Sequence, residues 1–176
     1  GTENGNDGED SWFSNATGSI YVLAKGGTGA NYSATGGLNG IGGQATMGIG
    51  DIKSNGGNGG VGVNAGGASG AGGGASGGAG GDGGNGGNGN AAGHIAGTAG
   101  IAQEGGYNGG LGGIDDDNVN NSFQSYHGVM GGIGAGGGGA SSGDNNGAYR
   151  DVFAKGGSGS NGRVLIKYNG ISQDVT

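Results

Sequence analysis

Apolar residues are dense at only two places in this chain, one near each end. The first is GSIYVLA at 18–24, where Ile20, Tyr21, Val22 and Leu23 favour extended structure and predict a strand. The second is Arg163-Val164-Leu165-Ile166-Lys167-Tyr168, where Val164, Ile166 and Tyr168 alternate with Leu165 and Lys167. The two are expected to pair and clamp what lies between, with Trp12 or Phe13 covering one face. An internal echo supports a boundary role. YVLAKGGTG at 21–29 is similar to DVFAKGGSG at 151–159, each an apolar run leading into Ala-Lys-Gly-Gly.

Between the ends, glycine comes in blocks: 35–43, 55–62, 66–89, 105–113, 128–139 and 155–162. The blocks favour Gly-Gly-X triplets, as in GGNGGV at 56–61 and GGNGGN at 83–88. Segments of different chemistry interrupt them at 44–54, 90–104, 114–127 and 140–154. A three-residue period fits a polyproline-II-type helix, with three residues per turn and a rise of about 3.1 Å. Such a helix has no internal hydrogen bonds, so its amides must find partners on neighbours. Two glycines in three let those neighbours approach, helped by Cα–H···O contacts. The pattern therefore predicts a bundle of polyglycine-II helices with a backbone core. Leu38, Ile41, Val61, Val63, Leu111 and Ile133 are expected to form a thin apolar layer, and Met47, Ile49 and Ile52 to pack inward. How many helices 66–89 makes, and which interruptions share an end, stays open at this level.

Composition agrees with that unusual core. Glycine is 58 of 176 residues, with no proline and no cysteine. Collagen needs proline and a strict Gly-X-Y period. Disulfide scaffolds and cysteine-ligated zinc need cysteine. No run approaches 18 apolar residues, the least that reads as a membrane span. A first residue of Gly1 suggests a fragment or processed product. Net charge is −7, and the six cations, Lys25, Lys53, Arg150, Lys155, Arg163 and Lys167, are scattered. No basic patch could track phosphates, so nucleic acid is not an expected partner.

No catalytic constellation emerges, and no cofactor or metal is implied. Asp115-Asp116-Asp117-Asn118 lacks the glycine and glutamate of a calcium loop. GGAGGD at 77–82 matches the start of a calcium-binding nonapeptide but has Gly84 where an apolar residue should follow, and no tandem array. His94 and His127 are the only histidines and fit no zinc spacing. Asn15-Ala16-Thr17 and Asn31-Tyr32-Ser33 fit the glycosylation pattern, which matters only in a eukaryotic secretory setting.

Binding chemistry is more legible. Aromatic residues lie in or beside the interruptions: Tyr107, Phe123, Tyr126 and Tyr149. Tyrosine gives contact area at low entropy cost, and Ser, Gly and Asn give adaptable hydrogen bonds. Segments 114–127 and 140–154 combine these with charge. The candidate binding residues are Asp115, Asp116, Asp117, Asn118, Asn120, Phe123, Tyr126, His127, Tyr149 and Arg150. Phe123 or Tyr149 folding back to plug the bundle end is the competing role.

Glycine blocks alternating with polar-aromatic segments, flanked by VLAKGG (22–27) and GRVLIKY (162–168), resemble the distal tail-fibre adhesins of T-even-type bacteriophages. The resemblance covers about residues 18–170. It implies polyglycine-II helices packed as a sandwich, with the intervening loops forming a receptor-binding tip. It also implies two partners: a host outer-membrane protein or surface glycan, and a tail-fibre shaft protein. The implied location is the distal fibre tip of a virion. The domain by which such adhesins join the fibre is not recognisable here. GGDGGNGGNGN at 80–90 resembles springtail antifreeze proteins, but that family carries proline and disulfides. An ice-binding protein and a structural glycine-rich filament are the alternatives. The expected fold class is irregular and all-β-like: a polyglycine-II bundle clamped by short terminal β-strands. Residues 1–17 are expected to be a polar N-terminal segment, 18–170 the receptor-binding domain and 171–176 a tail.

Overall fold

The computed structural model describes residues 5–31, 39–64, 68–90, 95–113, 128–139, 164–168 and 171–175. Most of these residues are extended but belong to no regular sheet. Six short strands pair as three antiparallel hairpins: β1 (Ser11–Ser14) with β2 (Ile20–Ala24), β3 (Val63–Asn64) with β4 (Ala68–Ser69), and β5 (Val164–Tyr168) with β6 (Ile171–Val175). The only described helix is a single 3-10 turn, Ala45–Met47.

Both dense apolar runs are strands, but they do not pair with each other. β2 pairs with β1, in the register Trp12 with Leu23 and Phe13 with Val22. The reason is local. Asn15 Oδ1 accepts from the Thr17 and Ser19 N–H groups and from Thr17 Oγ1, and Gly18 turns the chain at φ 86°. This loop returns the chain on itself at once, with Tyr21 as the extra residue of a β-bulge. The other edge of β2 is occupied as well, because Leu23 and Ile49 exchange both backbone hydrogen bonds. β5 instead pairs with β6, drawn from residues expected to be a tail, and lies beside β1 and β2.

Ten extended segments are described: 5–10, 25–31, 39–43, 55–62, 70–76, 82–90, 95–102, 106–113, 128–132 and 135–139. They bond sideways at every third residue. Segment 70–76 is central. The N–H groups of Gly70, Gly73 and Ser76 donate to the carbonyls of Gly113, Gly110 and Tyr107. Those of Gly72 and Ala75 donate to Gly87 and Gly84. Its carbonyls accept from Gly97 and Gly100, from Gly60 and Gly57, and from Gly139 and Gly136. Five neighbours therefore flank this segment, in the order 55–62, 82–90, 95–102, 106–113, 135–139, and each consecutive pair from first to last has its own lateral bonds. Block 66–89 thus supplies two described extended segments, 70–76 and 82–90, joined by a turn at Ala79-Gly80.

The core is this backbone array. Residues 70–75, GAGGGA, are all buried, and the buried apolar side chains among the described residues are alanines: Ala71, Ala75 and Ala135. Among the described residues the expected apolar layer does not form, and Ile133 is half-buried in a turn. Ile41, Val61 and Leu111 are exposed, as are Met47, Ile49 and Ile52. The cause is spacing: a β-carbon at Gly72 would sit 1.8 Å from the Thr98 carbonyl oxygen, and one at Gly74 would sit 2.0 Å from that of Gly57. Chains this close leave no room between them for a branched side chain, so triplet positions that carry one turn it outward. Leu38 and the Val63 side chain lie outside what is described.

Asparagine and aspartate set the register. At seven Asx-Gly dipeptides the Asx Oδ1 accepts an N–H from the neighbouring segment and the glycine N–H donates to a carbonyl of that same segment. In antiparallel pairs the two partner groups are two residues apart. Asp7-Gly8 holds Gly29 and Gly27, Asn55-Gly56 holds Ala45 and Gly43, Asn58-Gly59 holds Gly42 and Gly40, and Asn108-Gly109 holds Ala102 and Gly100. In the parallel pair both groups come from one residue. Asp82-Gly83 holds Asn55, Asn85-Gly86 holds Asn58, and Asn88-Gly89 holds Val61. All these bonds measure 2.7–3.0 Å.

Candidate functional site

The direction of each segment decides which connections share an end. Gly70 bonds Gly113, and Ala71 bonds Gly139, so residues 113 and 139 lie at the end where segment 70–76 begins. Gly113 also donates directly to the Gly139 carbonyl at 2.8 Å. Segment 128–132 runs antiparallel to 106–113, through Val129 to Leu111 and Gly132 to Asn108, so residue 128 returns at this end too. The β3–β4 hairpin projects from the same end, because Gly60 bonds Gly72 just before it and Gly70 follows it. We term this the loop end.

The opposite, turn end is built differently. Its segments are joined by tight turns at Ala79-Gly80, Glu104-Gly105 and Ile133-Gly134. Gly105 at φ 80° and Gly134 at φ 72° supply left-handed backbone that a side chain would oppose. Gly80 donates to the Glu104 carbonyl, which ties two of these turns together. The β1–β2 hairpin and segment 44–54 also lie here.

The sequence-based candidates Asp115, Asp116, Asp117, Asn118, Asn120, Phe123, Tyr126, His127, Tyr149 and Arg150 all lie outside the described residues. What is described is where the chain leaves the array to reach them. Segment 114–127 departs from residue 113 and rejoins at 128, and segment 140–154 departs from 139. These three anchor points belong to one end, and two of them are hydrogen-bonded. Tyr107, grouped with the other aromatics by sequence, is at the turn end, where its N–H and carbonyl both bond Ser76.

Charge among the described residues is sparse and structural. Lys25 pairs with Asp10 at the base of the β1–β2 hairpin. The Asp10 carboxyl is held below the usual aspartate range, first by the Lys25 hydrogen bond and then by the Gly26 N–H. Asp82 is likewise lowered, by the Asn55 side-chain amide and then the Asn55 N–H. Among the described residues no group of three or more His, Cys, Asp or Glu could hold a metal ion, and no helix is long and apolar enough to cross a membrane.

The Asx-Gly dipeptides are structural actors that residue-type reasoning passed over. Their signal was present: Asn55 and Asn58, and Asp82, Asn85 and Asn88, recur at three-residue spacing, each before a glycine. No protein-family model, curated protein or solved structure matches this chain.

Proposed function

We propose that the extended segments are polyglycine-II helices and that the chain is a non-catalytic tail-fibre tip adhesin of the T-even phage type. The three-residue lateral bonding and the five neighbours of segment 70–76 support the first part. An extended threefold chain offers three N–H and three C=O directions per turn, and five of these six are accounted for around 70–76. The anchor geometry carries the second part. Two segments rich in Asp, Asn, Tyr and Phe leave a rigid array from adjacent points, 113 and 139, on one end. A rigid scaffold presenting adaptable polar-aromatic loops is the arrangement that recognition surfaces use.

On this reading segments 114–127 and 140–154 meet a host outer-membrane protein or surface glycan. The turn end, with its hairpins, faces the fibre shaft. Several tips per virion make up for modest affinity at each one. The test replaces each segment by a Gly/Ser linker of equal length and measures adsorption to host cells. Folding should survive and adsorption should be lost. Unchanged adsorption with both segments replaced would refute the reading.

One observation speaks for the ice-binding alternative. Ile95, Thr98 and Ile101 form an exposed row at three-residue spacing. Ile95 and Ile101 are bulky, and Leu111 is exposed on the adjoining segment 106–113, so we expect no thermal hysteresis from the purified chain.

A further inference from the structure

Five asparagines in the described array precede glycine and hold a neighbouring segment through both residues: Asn55, Asn58, Asn85, Asn88 and Asn108. Asn-Gly is also the dipeptide most open to self-modification, because glycine puts no side chain in the way and its backbone is free to turn. The glycine nitrogen loses its proton and attacks the asparagine side-chain carbonyl carbon. A C–N bond forms, the bond to the side-chain nitrogen breaks, and ammonia leaves with the proton. Water then opens the resulting succinimide at either carbonyl, giving aspartate or isoaspartate.

We propose that these five Asn-Gly dipeptides are latent succinimide sites, closed while each clasps its neighbour and opened only when that segment lifts away. The two reacting groups are the two groups the clasp holds. The nucleophile is the glycine N–H, bonded to a carbonyl at 2.8–3.0 Å in every case. A base cannot reach an N–H proton while it is hydrogen-bonded to that carbonyl. The electrophile is the asparagine amide, whose oxygen accepts a neighbouring N–H at 2.8–3.0 Å. To react, the amide must swing back onto its own backbone and give up that bond. The bonds of Asn85, Asn88 and Asn108 are exposed and those of Asn55 and Asn58 are half-buried, so hydrogen bonding rather than burial is what the five sites share.

The two products have opposite consequences. Aspartate keeps the acceptor oxygen, and Asp7 and Asp82 already make the same clasp as carboxylates. Isoaspartate puts an extra carbon in the main chain, which shifts the following glycine out of the three-residue register, so the clasp cannot reform. Opening followed by isoaspartate formation is therefore irreversible loss of one lateral contact, whereas conversion to aspartate is silent. This inference rests on the bond geometry and not on the receptor-binding reading.

The test incubates the full-length folded chain at mildly alkaline pH beside five short peptides, each carrying one dipeptide with its own flanks. Peptide mass spectrometry follows deamidation site by site. The expected rate at each of the five sites is at least about tenfold lower in the folded chain than in its peptide, the ratio set by local opening. Gly100→Ala, whose β-carbon would meet the Gly84 carbonyl oxygen at 2.2 Å, should prise segment 95–102 loose. It should raise the rate at Asn108, which clasps Ala102 and Gly100, more than at Asn58, which does not touch that segment. Equal rates in folded chain and peptides would overturn the proposal. So would a folded Gly100→Ala chain in which Asn108 and Asn58 accelerate alike.

Discussion

Replacing Gly73 by alanine adds one methyl group to the centre of the array, and the structure says what that methyl meets. Its β-carbon would lie 2.1 Å from the Gly136 carbonyl oxygen and 2.6 Å from the Gly137 oxygen. That is about 1 Å inside the roughly 3.3 Å at which carbon and oxygen normally approach. The obstacle is backbone, so no rotamer change relieves it. Segment 135–139 must move away, and four lateral bonds hold it to segments 70–76 and 106–113: Gly136 to Gly74, Gly139 to Ala71, Gly110 to Gly136 and Gly113 to Gly139. At about 0.5–1.5 kcal/mol net for each bond, their loss costs about 2–6 kcal/mol. Against this stands a gain of about 0.4–1 kcal/mol, because alanine restricts the unfolded chain. The balance is a destabilisation of about 3 kcal/mol. Gly59 is the control. A β-carbon there meets nothing nearer than 3.6 Å, so Gly59→Ala should be neutral or slightly stabilising. Urea unfolding followed by circular dichroism compares the two variants. Equal midpoints for Gly73→Ala and Gly59→Ala would refute the backbone core, because a loose glycine-rich coil would treat the two methyls alike.

Two further predictions concern the clasps and charge. Asn85→Asp should leave stability almost unchanged, because Asp82 makes the same contact on the same segment, whereas Asn85→Ala should cost about 1 kcal/mol by urea midpoint. Asp10 has its pKa lowered on folding, so its stabilising effect is present above the unfolded aspartate value and is lost as pH falls through the lower folded value. Asp10→Asn should therefore flatten the fall in stability through that acid window, read from thermal midpoints across the pH series, and Lys25→Met should do the same by removing the main cause of the shift.

Some of this architecture was written plainly in the residues. The runs at 20–24 and 164–168 are strands, as their β-formers require. Their partners were obscured because β1, SWFS, is short and half polar, and the link from Ser14 to Ile20 works through Asn15 and Gly18 rather than through hydrophobicity. β6, ISQDV, follows β5 after only Asn169-Gly170, a strong hairpin signal that its polar content disguised. The three-residue period was visible in the glycine blocks, but what fills the core was not. Counting apolar residues suggested a layer of Ile41, Val61 and Leu111, whereas inter-chain distance admits only glycine and alanine. The two polar-aromatic segments stand out by composition, and the common end of their anchor points does not. That followed only from the directions of ten segments, which depend on lateral pairing between residues far apart in the chain.

The alanine-glycine interior of segment 70–76 has a thermal consequence. Unfolding an ordinary domain exposes apolar side chains and raises the heat capacity, which curves stability steeply with temperature. Unfolding this one exposes chiefly peptide groups, whose hydration contributes with the opposite sign. The stability curve is accordingly shallow. Cohesion does not depend on the apolar hydration that weakens in the cold, and the fold meets cooling and warming with much the same margin.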